Sequence, residues 1–160
     1  MQPFARILAS RPTPVKVEFY VESVGNFKAT TMDYDMDIYF IEFWKDPRLK
    51  HNHNQHLSIR DKKILDQIWL PDVYFANSKF AQYNFVTVPN CVLKLQPDGT
   101  IRYSVRIHLK IACHMNLKSY PIDTQLCYLK ILTYGSTMNE WPYPGSHFGS
   151  TRAQCQAAWA

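Results

Sequence analysis

Cys113 and Cys127 enclose residues 114–126, a run that carries Tyr120-Pro121-Ile122-Asp123 near its middle. Apolar and polar residues alternate on either side of it. A disulfide here would tie two neighbouring β-strands across a compact loop. By the loop-entropy relation it would stabilise the fold by about 3 kcal/mol, provided the strand ends bring the sulfurs within reach. Two unpaired structural thiols are the other reading of this spacing. A second set of residues has the chemistry of binding. Tyr39, Tyr74, Phe75, Tyr103 and Tyr134 fall at strand positions or strand ends beside polar residues. Aromatic faces around a cleft attract an ammonium group by about 0.5–2 kcal/mol each. Arg102, Ser104 and Arg106 alternate along one strand face, where guanidinium and hydroxyl donors can hold a carboxylate. Together the two chemistries suit a zwitterion such as a small amino acid, while each aromatic taken singly also serves core packing.

Other chemistries find little support. There is no Gly-rich phosphate loop, no nucleophile elbow and no Cys-x-x-Cys metal spacing, so neither an enzyme nor a cofactor is expected. The run His51-Asn52-His53-Asn54-Gln55-His56 has no cysteine partner and reads as a solvated loop rather than a zinc site. Asp33, Asp35 and Asp37 share one strand face and read as a solvent-facing polar side rather than a metal site. Cys91 has no evident partner; it is free, buried or paired with Cys155. The formal charge of +5 is modest. Basic residues are spread along the chain rather than gathered into a stripe, which excludes a nucleic-acid footprint.

The elements that must position these residues are strands. The 160 residues are 46% apolar and 14% aromatic with few glycines, enough for one domain with a full core. After the Pro-rich lead-in of residues 1–14, Val15, Val17, Phe19 and Val21 alternate with polar residues up to a turn-like Ser23-Val24-Gly25-Asn26. Met32, Tyr34, Met36, Ile38 and Phe40 then form one face of a long strand that Lys45-Asp46-Pro47 ends. Residues 51–63 read as a polar loop, and Val73-Tyr74-Phe75 as a short strand. Val92–Gln96 enters a hairpin at Pro97-Asp98-Gly99, and Ile101, Tyr103, Val105, Ile107, Leu109 and Ile111 line one face of the return strand. Tyr128–Tyr134 reads as a further strand. No helical periodicity is convincing. The expectation is an all-β fold, an antiparallel immunoglobulin-like sandwich of two sheets, incomplete at both ends.

The loop with Tyr120-Pro121-Ile122-Asp123 resembles the signature of the Cys-loop receptors, the pentameric neurotransmitter-gated ion channels. Trp44-Lys45-Asp46-Pro47-Arg48-Leu49 and Ile68-Trp69-Leu70-Pro71-Asp72-Val73-Tyr74-Phe75-Ala76-Asn77 are similar to further family motifs. So are Pro97-Asp98-Gly99, Tyr103-Ser104-Val105-Arg106 and Tyr134-Gly135-Ser136-Thr137-Met138-Asn139. The likeness covers residues 15–141 and is closest in look to glycine- and glutamate-gated chloride channel subunits. It implies the Cys113–Cys127 disulfide and an extracellular ligand-binding domain with no enzymatic role. An amino-acid-type transmitter would bind between neighbouring subunits of a pentamer. Tyr74 and Phe75 match the principal side's loop A, and Tyr134 its loop B. Tyr39 matches the complementary side's loop D, and Ser104 and Arg106 its loop E. Tyr120, Pro121 and Asp123 would rest on the membrane region and couple binding to the gate.

Departures from the family pattern are equally specific. Ile41 stands where amino-acid-gated chloride channels usually carry an arginine, so either Arg106 holds the carboxylate or this subunit contributes only its principal face. Residues 142–160 do not match and read as a loose tail without a strand. The chain shows neither a secretory leader nor a run of eighteen apolar residues. A channel subunit cut short before its membrane helices, at the extracellular face of the plasma membrane, is the first reading. A soluble secreted transmitter-binding protein and a truncated regulatory isoform are the alternatives.

Overall fold

The computed structural model describes residues 13–118, 124–134 and the backbone of 155–158. Its centre is a pair of long antiparallel strands, β2 (Asp33–Lys45) and β9 (Thr100–Ala112), in register from Asp33 opposite Ala112 to Lys45 opposite Thr100. β1 (Lys16–Lys28) covers the free edge of β2. The far edge of β9 is shared: β8 (Cys91–Leu95) pairs with its first half and β5 (Ser78–Tyr83) with its second. β3 (Leu57–Ile59) closes the six-stranded sheet beyond β8.

Alternation along β2 and β9 turns every second residue inward. Tyr34, Met36, Ile38, Leu109 and Ile111 are fully buried. They meet Cys127, Leu129 and Ile131, with Val73 and Phe75 packed alongside. These last residues belong to a second layer, in which β4 (Val73–Phe75) pairs with β11 (Ile131–Thr133), and β10 (Thr124–Cys127) with β12 (Cys155–Ala158). The fold is therefore the expected all-β sandwich. A smaller apolar cluster of Val15, Trp44, Leu65, Leu93, Leu95 and Ile101 fills one end. It is lidded by the short helix α1 (Lys62–Leu65) and by Trp69, whose ring meets Trp44 edge-on at 6.1 Å.

Several elements differ from the sequence reading. The turn-like Ser23–Asn26 is absorbed into β1, which stays paired with β2 through two register shifts; Asn26 takes φ 52° and its side-chain amide donates to Asp35. Turn-forming residues here make bulges, because the neighbouring strand continues past them. Residues 51–63 contain β3 and the start of α1, whose first turn is capped by the Asp61 carboxylate accepting from the Lys63 N–H. The span Tyr128–Tyr134 is strand only over Ile131–Thr133, and β10 ends at Cys127. β6 (Phe85–Val86) and β7 (Val88–Pro89) form a small hairpin in a stretch that the sequence reading leaves unassigned. A strand also occurs at Cys155–Ala158, where none was read.

The hairpin at Gly99 is as expected. Gly99 has φ +84°, and a Cβ there would lie 2.5 Å from the Asp46 carbonyl oxygen, which belongs to the backbone. The Gly99 carbonyl also accepts from the Asp46 N–H at 2.9 Å, so neither partner can back away freely. Gly99→Ala should destabilise the domain by about 2 kcal/mol, from unfavourable φ and the close contact together. A urea titration would read this as a lower midpoint; an unchanged midpoint would show that the turn relaxes.

Candidate functional site

The outward faces of β1, β2 and β9 carry a rung of Tyr20, Tyr39 and Arg106, each opposite the next in the strand register. The Tyr20 and Tyr39 rings are 6.3 Å apart, and the Arg106 guanidinium lies 5.8 Å from the Tyr39 centroid. Arg106 also pairs with Glu22 at 2.7 Å, while its Nε is buried with no hydrogen-bond partner among the described residues. The guanidinium is thus pinned by an aromatic face and a carboxylate and keeps one donor unspent. Ser104 lies two residues along β9 on the same face, opposite Ile41. Tyr39, Ser104 and Arg106 therefore form one group, which can offer a ring face, a hydroxyl and a guanidinium to a small ligand.

Further along this face, acids on β2 meet bases on β9. His108 Nδ1 lies 3.0 Å from Asp37, which also accepts from the Ser23 hydroxyl at 2.8 Å. Burial acts to raise the Asp37 pKa, but these two hydrogen bonds outweigh it and hold the carboxyl below its ordinary value. Lys110 stands 3.9 Å from Asp35. Lys79 pairs with Asp33 at 2.8 Å, and its hydrogen bond with that of Thr31 lowers the Asp33 pKa. The three aspartates thus serve cross-strand pairing. Among the described residues, no group of three His, Cys, Asp or Glu side chains could hold a metal ion.

The second group sits on the other layer. Tyr74 of β4 and Tyr134 just beyond β11 meet edge-on with centroids 5.9 Å apart, and both are solvent-exposed. The Tyr134 N–H donates to the Asp72 carbonyl at 3.1 Å, which ties the two strand ends together. Phe75 is not part of this pair. Consecutive strand residues point to opposite faces, so Phe75 turns into the core and packs against Phe40 at 5.3 Å. Between the layers lies a cleft of about 350 Å³, lined by Phe75, Tyr74, Tyr103, Tyr83 and the carboxylate-bearing Glu42. Glu42 escaped the sequence reading. Its signal is parity: it stands between Phe40 and Trp44 in the inward series of β2.

Cys113 and Cys127 are bonded, with Cα atoms 5.3 Å apart, and both are buried. Within the enclosed loop, the buried Gln125 side chain accepts from the Asn116 N–H and donates to the Asn116 carbonyl, at 2.9 and 2.8 Å. Tyr120, Pro121 and Asp123 lie outside the described residues. Cys91 is a free, half-buried thiol.

Residues 3–146 match the family model described as the neurotransmitter-gated ion-channel ligand binding domain. The chain belongs to this family. A relative from Caenorhabditis elegans, glycine receptor subunit beta-type 4, is 42% identical over 122 residues, which are 76% of this chain and 26% of that protein. A Gallus gallus relative, gamma-aminobutyric acid receptor subunit beta-4, is 39% identical over 129 residues, 81% of this chain and 26% of that protein. This chain thus spans about a quarter of the length of these relatives, which are receptor subunits and not enzymes. Among its described residues, no helix is long and apolar enough to cross a membrane.

Proposed function

We propose that this domain is the extracellular part of a subunit of a pentameric, anion-type neurotransmitter-gated channel of the plasma membrane, and that an amino-acid-type transmitter binds between two subunits. The observation that carries this reading is the division of the candidate residues between the two layers. Tyr39, Ser104 and Arg106 face away from the core on the six-stranded sheet. Tyr74 and Tyr134 face away from it on the β4–β11 layer. Within one copy the two groups look in opposite directions, so a pocket using both needs two copies. In it Arg106 and Ser104 hold the transmitter's carboxylate, while Tyr39, Tyr74 and Tyr134 surround its ammonium group. Phe75 acts from behind, by setting the position of Tyr74. Likeness to glycine and γ-aminobutyric acid receptor subunits supports a transmitter of this size and an anion-conducting pore.

Binding moves a gate only if the ligand prefers one arrangement of the domains. The disulfide-closed loop with Tyr120, Pro121 and Asp123 is the element we assign to passing that preference toward the membrane.

Mixing of variants tests the two-copy pocket. Arg106→Ala and Tyr134→Ala should each weaken binding of radiolabelled glycine, γ-aminobutyric acid or glutamate at least tenfold. A one-to-one mixture should recover part of the wild-type sites, because some interfaces then pair an intact Arg106 with an intact Tyr134. Wild-type binding with no recovery on mixing would overturn the shared pocket.

A further inference from the structure

We infer that the cleft between the two layers is a separate binding site, complete within one copy of the chain, for a compact organic ammonium ion whose charge is met by the Glu42 carboxylate. It uses the opposite side of the β2–β9 sheet from Tyr39 and Arg106, and so does not rest on the two-copy pocket.

Glu42 is 4% exposed, and among the described residues no hydrogen bond or ion pair reaches its carboxylate. Its cross-strand neighbours are Val17 on β1 and Tyr103 on β9, and along β2 the same face carries Phe40 and Trp44. None of the described residues lining the cleft is basic. An ionised carboxylate in such surroundings is costly unless a cation meets it, and no described residue lining the cleft supplies one. The walls suit the remainder of such a ligand. Tyr103, Phe75 and Tyr83 offer ring faces or edges to an ammonium group and to an apolar body. A volume of about 350 Å³ falls at the small end of ligand cavities, which selects a compact molecule.

Burial raises the Glu42 pKa to about 7, so this side chain is a neutral acid below neutrality and a carboxylate above it. Among the described residues, the other titratable ones lining the cleft are Tyr74, Tyr83 and Tyr103, with the Cys91 thiol near Tyr103. Burial pushes Tyr103 up to about 12, so it stays neutral through this range. Ammonium binding should therefore strengthen as the pH rises past about 7.

The test titrates the oxidised chain at pH 8 with benzylamine, benzyl alcohol and benzoate, three probes of similar size and different charge. Benzylamine should saturate and bind at least tenfold more tightly than the alcohol, with benzoate weakest. Glu42→Gln, nearly the same in shape, should erase that preference, whereas Arg106→Ala and Tyr134→Ala should leave it intact. The wild-type chain gives an independent answer by carboxyl carbon NMR: saturating benzylamine should lower the pH at which Glu42 titrates. Equal affinity for amine and alcohol, or a Glu42 midpoint unmoved by benzylamine, would overturn the site. A preference lost in Arg106→Ala or Tyr134→Ala but kept in Glu42→Gln would move the ligand to the two-copy pocket.

Discussion

Replacing both Cys113 and Cys127 with alanine is expected to lower the unfolding free energy by about 3 kcal/mol, and the melting temperature by roughly 6–12 °C. The two sulfurs are joined across 14 positions of chain, between the end of β9 and the end of β10. Opening that link gives the unfolded chain back the freedom of a loop of this length. Alanine rather than serine keeps the comparison clean, because both positions are buried and a hydroxyl there would need a partner. The loss should be uneven. β2 and β9 are paired along thirteen registered positions and should keep their amide protection. β10 and the Asn116–Gln125 hydrogen bonds depend on the linked ends and should exchange first. Thermal melting with hydrogen exchange read along the chain would check both points. A double variant that melts within a degree of the oxidised wild type would show that packing alone holds the loop. Reduced wild type should match the variant, because both lack the same cross-link.

The long strands were legible because each has one wet and one dry face, and period-two alternation over a dozen residues is hard to mistake. Met36, Ile38, Leu109 and Ile111 fall inward as their spacing requires. Asp35 and Asp37 read as a polar face, but their function in the sheet depends on the register with β9, which sets them opposite Lys110 and His108. That register follows from how the strands align in space, and neither strand alone reveals it. β3, β6 and β7 are two or three residues long, too short to show a period, and exist because a longer neighbour or an adjacent turn supplies the hydrogen bonds. Tyr74 and Phe75 look alike as a pair of adjacent aromatics, yet strand geometry must send them to opposite faces. Glu42 was missed for the converse reason: an acid is read as outward until its parity with Phe40 and Trp44 is counted.

That inward acid gives the second large effect, a fall in stability as the pH rises from about 4.5 to 7. In the folded domain the Glu42 carboxyl is pushed up to about 7 by burial, from its ordinary value of 4.5. A folded pKa above the unfolded one means that the native state binds the extra proton throughout this window. The associated stability is complete below pH 4.5 and is lost as the pH climbs through the folded value, by about 3 kcal/mol in all. The paired aspartates act in the reverse sense. Asp33 and Asp37 have lowered pKa values, as does Asp46, which the Arg48 guanidinium grips at 2.6 Å. Their contribution is complete above pH 3.8 and fades below it, so their window does not overlap that of Glu42. Stability should therefore peak near pH 4–5, on the acid side of neutrality. Glu42→Gln should flatten the curve between pH 4.5 and 7 and leave its acid limb unchanged. At pH 8 the variant should be more stable than the wild type by up to about 3 kcal/mol, because an amide in this site carries no charge to desolvate. Urea unfolding of both proteins at half-unit pH steps would measure the difference. Parallel curves for the two proteins from pH 4.5 to 8 would mean that the Glu42 charge finds a partner in the folded chain.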